Sequence, residues 1–166
     1  MKSAIVIAFL LLVSMGGYAQ QLDLQAGTRS GVSNGLTCRI LTGPDTYTEG
    51  MLLSRNRGVQ LYVLRGQTLK LSKIPMEGFS YSSGWGGHVG FAGSRLWNRD
   101  EYYHRNALMP VLGIDYYMAL NFTFRKFPLS LSIDYKPFAE IVPDRILRMN
   151  LWDFGFTARY QFTTKI

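Results

Sequence analysis

The sequence has little cysteine and little histidine, and these shortages exclude several kinds of site. Its 166 residues include one cysteine, Cys38, so no disulfide can form within the chain. Two scattered histidines and one cysteine do not give the ligand spacing of a zinc site, and we predict no metal and no cofactor. Cys38 lies on the apolar side of a predicted strand, where we interpret it as a small hydrophobic residue.

Long apolar runs are missing as well. The longest run, residues 4–13, has about 10 residues, whereas a membrane-spanning helix needs roughly 20. It follows Lys2 and precedes Gly17 and Ala19, which is the pattern of a cleaved secretory signal. We therefore predict a signal peptide over residues 1–19 and one exported domain over residues 20–166. No cysteine follows the predicted cleavage site, which argues against a lipoprotein anchor.

After residue 20 helical periodicity is absent, and apolar and polar residues alternate instead. Near the end of the chain Trp152, Phe154 and Phe156 fall on one face of a strand, and Asp153 and Arg159 fall on the other. The third segment alternates poorly and has no clear orientation. The alternating segments predict eight strands, over residues 21–29, 36–42, 47–55, 59–65, 79–92, 108–124, 129–137 and 149–162.

The composition fits a protein whose strands are apolar on one face only. Aromatic residues make up 14% of the chain, 17 residues are glycine and the mean hydropathy is near zero, as in transmembrane barrels. We predict an all-β fold, an eight-stranded antiparallel up-and-down transmembrane β-barrel. A soluble secreted β-protein, with its apolar faces packed inward, is the alternative.

The predicted topology places both termini on the periplasmic side, because the number of strands is even. Residues 93–107 and 139–148 then form outer loops, and residues 125–128 form an inner turn. The connector at residues 66–78 is longer than the inner turns of such barrels.

The polar strand faces mix small residues with charged ones, which suits the narrow lumen of eight strands. We expect these acids and bases to pair across the lumen, because an unpaired buried charge costs several kcal/mol. Aromatic residues on the apolar faces suit belts at the two membrane interfaces. The predicted lumen cluster, with a structural role, comprises Asp23, Arg39, His88, Asp115, Asp134, Lys136, Asp153 and Arg159.

Several segments resemble a known family. Residues 127–137 and 155–162 are similar to the penultimate and closing strands of small outer-membrane β-barrel proteins of the Bacteroidota type, which are akin in size to the OmpA/OmpX-like barrels. The pieces at residues 35–37, 49–50, 86–91 and 113–115 are also similar. The resemblance covers nearly the whole predicted mature chain and implies that fold and a bacterial outer-membrane location. It implies no activity, because the family has no established common one.

Three functions remain open from the residues. The first is a structural barrel that displays loops and has no turnover, and the second is a narrow pore or small-solute transporter. The third is a lipid-modifying enzyme, which would need His88 beside Ser80 or Ser82 with a carboxylate to orient it. A nucleophile-elbow motif is missing from the sequence, and we predict no catalytic residue.

The predicted partners follow from the predicted location. They are outer-membrane lipids and, during transit, periplasmic chaperones and the barrel-assembly machinery. Export separates the chain from nucleic acid, and the oligomeric state is left open. Lipopolysaccharide phosphates are a further partner, because arginine forks onto phosphate oxygens; the alternative is ordinary solvated loop charge. The arginines predicted in or beside the outer loops are Arg55, Arg57, Arg95, Arg99 and Arg105.

Overall fold

The computed structural model describes residues 23–71, 78–95, 106–143 and 145–163, so the predicted signal peptide lies outside the described residues. None of the described residues belongs to a helix that is long and apolar enough to cross a membrane. The strands are β1 (Asp23–Gly31), β2 (Asn34–Leu41), β3 (Thr46–Arg55), β4 (Gly58–Lys70), β5 (Phe79–Arg95), β6 (Asn106–Thr123), β7 (Leu129–Tyr135), β8 (Phe138–Val142), β9 (Arg145–Asn150) and β10 (Phe154–Thr163).

The strands close into a barrel. Consecutive strands from β1 to β7 pair antiparallel, β7 pairs with β10, and β10 returns to pair with β1. Where β1 pairs with β10, the wall therefore has eight antiparallel strands and no open edge, which confirms the predicted all-β, eight-stranded antiparallel barrel. Beyond that level, β9 pairs with β8 alone among the described strands. Closure satisfies the backbone groups that an edge strand would leave unpaired.

Two of the eight wall strands are broken, and the hairpin β8–β9 continues both of them. β7 pairs with β6 from Met118 to Thr123, and β8 pairs with the same strand from Leu112 to Asp115. The chain leaves the ladder at residues 136–137 and again at residues 151–153. The predicted outer loop at residues 139–148 is therefore wrong, because most of it pairs as the β8–β9 hairpin.

The register of the ladders gives the slant of the strands. Pairs followed from Thr28 through β2 to β6 end at Leu112. Pairs followed the other way, through β10 and β7, end at Phe122, ten residues further along β6. With a rise of about 3.3 Å per residue and a strand spacing of about 4.8 Å, this shear tilts eight strands by roughly 40°.

β4, β5 and β6 extend beyond their predicted bounds. β4 continues to Lys70 because Gln67 to Lys70 stay paired with β5, so the predicted connector at residues 66–78 is wrong for its first part. β5 and β6 remain paired up to Arg95 and Asn106, which shortens the predicted loop at residues 93–107 from both sides. Residues 72–77 and 96–105 lie outside the described residues.

The side chains divide between the interior and the outer surface with a period of two. Along β4, Gln60, Tyr62 and Leu64 are buried, whereas Leu61 and Val63 are exposed. β3, which had no predicted orientation, buries every second residue from Tyr47 to Arg55 in the same way. The outer surface is apolar, as shown by Trp85 at 67%, Ile114 at 65% and Ile133 at 64% exposure.

The two ends of the barrel differ in what projects from them. We call the end where β1 begins and β10 ends the terminal end. The opposite end is the hairpin end, because the β8–β9 hairpin and the paired ends of β5 and β6 extend from it. At the hairpin end, β1 stops at Gly31 and β2 begins at Asn34, so the wall is much shorter on that side.

Candidate functional site

The barrel interior is the candidate site, because the buried charged side chains converge there. They form two networks, one on the side of the hairpin end and one on the side of the terminal end, and an apolar cluster from β3, β4 and β6 packs beside them. The apolar cluster consists of Met51, Leu53, Tyr62, Leu64, Tyr117 and Ala119. We call the two groups of charges the hairpin-side network and the terminal-side network.

Arg29 of β1 is the centre of one half of the hairpin-side network. Its Nε atom donates to Asp134 Oδ1 at 2.7 Å, and its Nη1 atom donates to Asp153 Oδ1 at 3.1 Å. Nη1 also donates to the backbone oxygen of Ser33 at 2.9 Å. One fully buried guanidinium thus ties β1 to β7 and to the break before β10.

Lys136 enters the interior at the break between β7 and β8. Its Nζ atom lies 3.1 Å from Asp153 Oδ2 and 3.6 Å from Asp115 Oδ1. It also lies 3.9 Å from the centre of the Tyr62 ring, a distance at which a cation interacts with an aromatic face. The Lys136 backbone N–H donates to the backbone oxygen of Asp153 at 2.8 Å. This hydrogen bond joins the break after β7 to the break before β10.

His88 of β5 is held between two carboxylates. Nδ1 lies 2.7 Å from Asp115 Oδ2, and Nε2 lies 2.9 Å from Glu140 Oε2. With both carboxylates ionised, both contacts are hydrogen bonds when each ring nitrogen carries a hydrogen, which is the imidazolium form. On the neighbouring strand β6, Gly113 leaves room for this ring, because a Cβ at position 113 would lie 2.3 Å from His88 Cε1.

Glu140 connects His88 to two arginines. Arg55 Nη2 donates to Glu140 Oε2 at 2.6 Å, and Arg148 Nε donates to the other carboxylate oxygen. Arg55 lies at the end of β3, beside the predicted outer turn, but its side chain is 2% exposed and points inward, so it is not an outward-facing arginine. The parity of β3 explains this, because Arg55 shares the inward face with Glu49 and Leu53.

Glu49 is the centre of the terminal-side network. Its Oε2 atom accepts from Arg39 Nη2 at 2.7 Å, and its Oε1 atom accepts from Arg159 Nη2 at 2.6 Å. Thr37 also donates to Oε1. Arg159 reaches across to Ser132 Oγ at 3.0 Å. One carboxylate therefore pairs with two buried arginines from different strands.

The structure brings together seven of the eight residues of the predicted lumen cluster in these two networks. The eighth, Asp23, is half-buried at the first residue of β1, near the terminal end. Sequence reasoning missed Arg29, Glu49, Arg55 and Glu140. Arg29 lay on a face already predicted to be polar, whereas Glu140 lay in a predicted loop.

The charged side chains of the interior are held together by hydrogen bonds and ion pairs. Both ring nitrogens of His88 are engaged by carboxylates, and Ser82 Oγ instead contacts Thr68 and Asn121 on the terminal side. The Ser/His arrangement considered from the sequence is therefore not formed. Within the described part of the chain, no group of three or more His, Cys, Asp or Glu side chains is arranged to hold a metal ion.

Comparison with known proteins identifies no relative of this chain. No protein-family model and no curated protein matches this chain. What the geometry establishes is therefore the fold and its interior, a small closed eight-stranded barrel with charged networks inside and apolar side chains outside.

Proposed function

We propose that this protein is a small integral membrane barrel of the bacterial outer membrane, with a structural, loop-displaying role and no turnover. The observation that carries the proposal is the reversed distribution of side chains, with charges inside and exposed apolar residues around the wall. In water such a wall would be a large exposed apolar patch, which monomeric soluble proteins rarely have. In lipid the same wall is favourable, and over the height where β1 pairs with β10 closure leaves no unpaired backbone edge.

The dimensions support the same proposal. A strand tilted by about 40° rises roughly 2.5 Å per residue along the barrel axis, so ten residues rise about 25 Å. That is the height of the apolar band on outer-membrane barrels. β10 has ten residues, and its outward side chains include Phe154, Phe156, Tyr160 and Phe162.

The loop-display role rests on the hairpin end. There β5, β6 and the β8–β9 hairpin extend beyond the ends of β1 and β2. Lipopolysaccharide phosphates are the proposed contact of this end, through Arg57 in the β3–β4 turn and through Arg95, Arg99 and Arg105. The side chains of the last three lie outside the described residues, and Arg55 is removed from this set because it points inward.

The experiment that tests the membrane proposal is heat-modifiable gel mobility of protein extracted from membranes. A folded barrel in mild detergent should migrate differently from the boiled sample. Recovery of the protein in soluble form from the periplasm would contradict the proposal. Chaperones and the assembly machinery are the proposed partners in transit, and crosslinking during export would test them.

A narrow pore is the second candidate function, and the interior argues against it. The inward side chains of the apolar cluster and of the two charged networks are buried and are engaged in ion pairs or packed together. We expect no steady conductance in a planar bilayer. Stable single-channel steps from the wild-type protein would restore the pore hypothesis.

A lipid-modifying enzyme is the third candidate. It would require a base with a free nitrogen, and both nitrogens of His88 face carboxylates. We expect no turnover of labelled lipid by either the wild-type protein or His88→Ala. Turnover by the wild-type protein that the substitution abolishes would overturn this expectation.

A further inference from the structure

The outward apolar residues cover different heights on different strands of the wall. A strand rises about 2.5 Å per residue along the barrel axis. On β1 and the residue after it, the outward apolar residues furthest apart are Leu24 and Val32, which lie about 20 Å apart along the axis. On β6 the outward apolar residues run from Phe122 to Leu108, a height of about 35 Å. The side of the barrel that contains β6 is therefore apolar over more than the roughly 25 Å of an outer-membrane apolar band.

The extra height is at the hairpin end, because the apolar surface begins at nearly one level at the terminal end. With strands tilted by about 40°, the registers place four outward residues within about 4 Å of one another along the axis. They are Leu24, Leu69, Phe122 and Phe162. Inclining the barrel enough to cover its taller side with lipid would move these four residues to different depths. Their common level therefore indicates that the taller side projects beyond the band at the hairpin end.

Two observations mark the upper edge of the band. Trp152 lies ten positions before Phe162 (162 minus 152), or about 25 Å above it, and is 74% exposed. Tryptophan is enriched at the membrane interface. On the side of β1 to β3 the outer surface becomes polar near the same level, where Ser30, Asn34 and Ser54 are exposed.

Beyond that edge, β5, β6, β8 and β9 form an extension with an apolar outer face. Its large outward side chains are each more than half exposed, and we call them the extension face: Phe91, Leu108, Leu112, Ile141, Leu147 and Met149. Among the outward side chains of the extension that the structure describes, none is charged or able to form a hydrogen bond. A soluble surface of this kind is typical of a contact with another protein.

The size of the extension face suits a contact between two copies. At roughly 100 Å² for each half-exposed large side chain, six side chains offer about 600 Å² per copy. Two copies would then bury about 1,200 Å², the lower end of the range for stable interfaces. Because the extension face contains no charged residue, two copies bring no like charges together.

We propose that the extension face binds the extension face of a second copy in the same membrane. The inference rests on the proposed membrane location of the barrel, and it goes further by naming a contact surface and its occupant. A two-fold axis along the membrane normal relates two copies that are inserted in the same direction. Strands tilted by about 40° in each copy then cross at about 80°, which is close to the orthogonal class of packed sheets.

Energy transfer between labelled copies in phosphatidylcholine vesicles measures this association. The donor and acceptor dyes are attached at Lys126→Cys in a Cys38→Ser background, because position 126 lies in an exposed turn at the terminal end. Unlabelled wild-type protein, added as a competitor, should lower the transfer. Leu147→Glu should compete about tenfold less well, because its carboxylate would be buried against an apolar face.

Two further variants make the test specific. Ser54→Glu places the same charge at the hairpin end on another side of the barrel, and it should compete as well as the wild type. Met149→Ser adds no charge and should compete several-fold less well, because it removes apolar surface from the contact. Heat-modifiable gel mobility shows that each competitor is folded before it is used.

Two outcomes would overturn the inference. One is energy transfer between wild-type copies no greater than a random distribution gives at the same ratio of protein to lipid. A different protein on this face, or lipid covering it in an inclined barrel, would produce that result. The other is a folded Leu147→Glu variant that competes as well as the wild type.

The two proposals fail in different ways. If the wild-type protein shows no heat-modifiable form and does not insert into vesicles, the membrane proposal fails. If it inserts and folds but stays monomeric, only the contact between copies fails.

Discussion

Glu49 is the residue on which the terminal-side network depends. It accepts from both Arg39 and Arg159 in a fully buried position. Breaking a buried ion pair by removing one partner is costly because the other charge remains without compensation. The two arginines come from β2 and β10, so this single carboxylate also ties together strands that flank β1.

The first prediction concerns this carboxylate. Glu49→Gln should lower the free energy of unfolding by about 3–5 kcal/mol, because two buried guanidinium groups then face a neutral amide. The measurement is urea unfolding in lipid vesicles. Asp45→Asn is the matched control, since Asp45 lies in an exposed turn and should change stability by no more than about 0.5 kcal/mol. An equal effect of the two substitutions would refute the assigned role of Glu49.

The second prediction concerns the outer surface at Phe156, which is 48% exposed on the wall. In lipid, Phe156→Arg should cost about 2–4 kcal/mol, because a charge is placed in the apolar band. Phe156→Leu should cost much less. A soluble protein would accept arginine at this exposed position with almost no change. The same urea titration in vesicles distinguishes the two, and a neutral Phe156→Arg would argue for a surface facing water.

At the scale of the element, the hairpin β8–β9 depends on a close approach of strands at Gly113. A Cβ at this position would lie 2.7 Å from the Ala139 backbone oxygen as well as against His88. Overpacking of this kind typically costs about 1–3 kcal/mol. Gly113 pairs with Glu140, so the strain would fall on the ladder that holds the hairpin to β6.

The third prediction follows from that contact. Gly113→Ala should destabilise the protein by about 1–3 kcal/mol and should raise hydrogen exchange of the β8 and β9 amides. Gly50→Ala is the control, because the nearest atom to a Cβ there is 4.0 Å away. If both glycines tolerate alanine equally, the close approach at Gly113 does not constrain the hairpin.

The two-faced strands could be predicted from the sequence, because one apolar face and one polar face leave a clear period of two. β3 could not be oriented, since each of its faces mixes apolar and polar residues. Met51 shares the inward face with Glu49, whereas Leu52 shares the outward face with Thr48. The alternation has no contrast in such a strand, and only burial in the closed barrel separates the two faces.

The hairpin β8–β9 could not be predicted for a different reason. Pro137 and the charges at Glu140 and Arg148 have the composition of a loop. Their charges are satisfied by each other and by Arg55, a partner 85 residues away from Glu140 in the chain. A contact between such distant residues cannot be recognised from local composition. The sequence therefore predicts a loop over this segment.

At the scale of the whole molecule, the barrel reverses the usual arrangement of a soluble protein. The interior consists of two ion-pair networks beside a small apolar cluster, and the exterior is a largely apolar wall. The proposed outer environment of lipid, together with the closed lumen, would account for both halves of this distribution. They also account for the lone cysteine, which points outward from the middle of β2.

Cys38 provides the most direct test of the central claim, that the wall of this barrel faces lipid. The folded protein in lipid nanodiscs, whose two faces are both open to solvent, is treated with a membrane-impermeant maleimide. Lys126→Cys in a Cys38→Ser background is the control, because position 126 lies in an exposed turn. The account predicts that Cys38 is protected until urea unfolds the protein, whereas position 126 reacts at once. Rapid labelling of Cys38 in the folded, nanodisc-bound protein would contradict a lipid-facing wall.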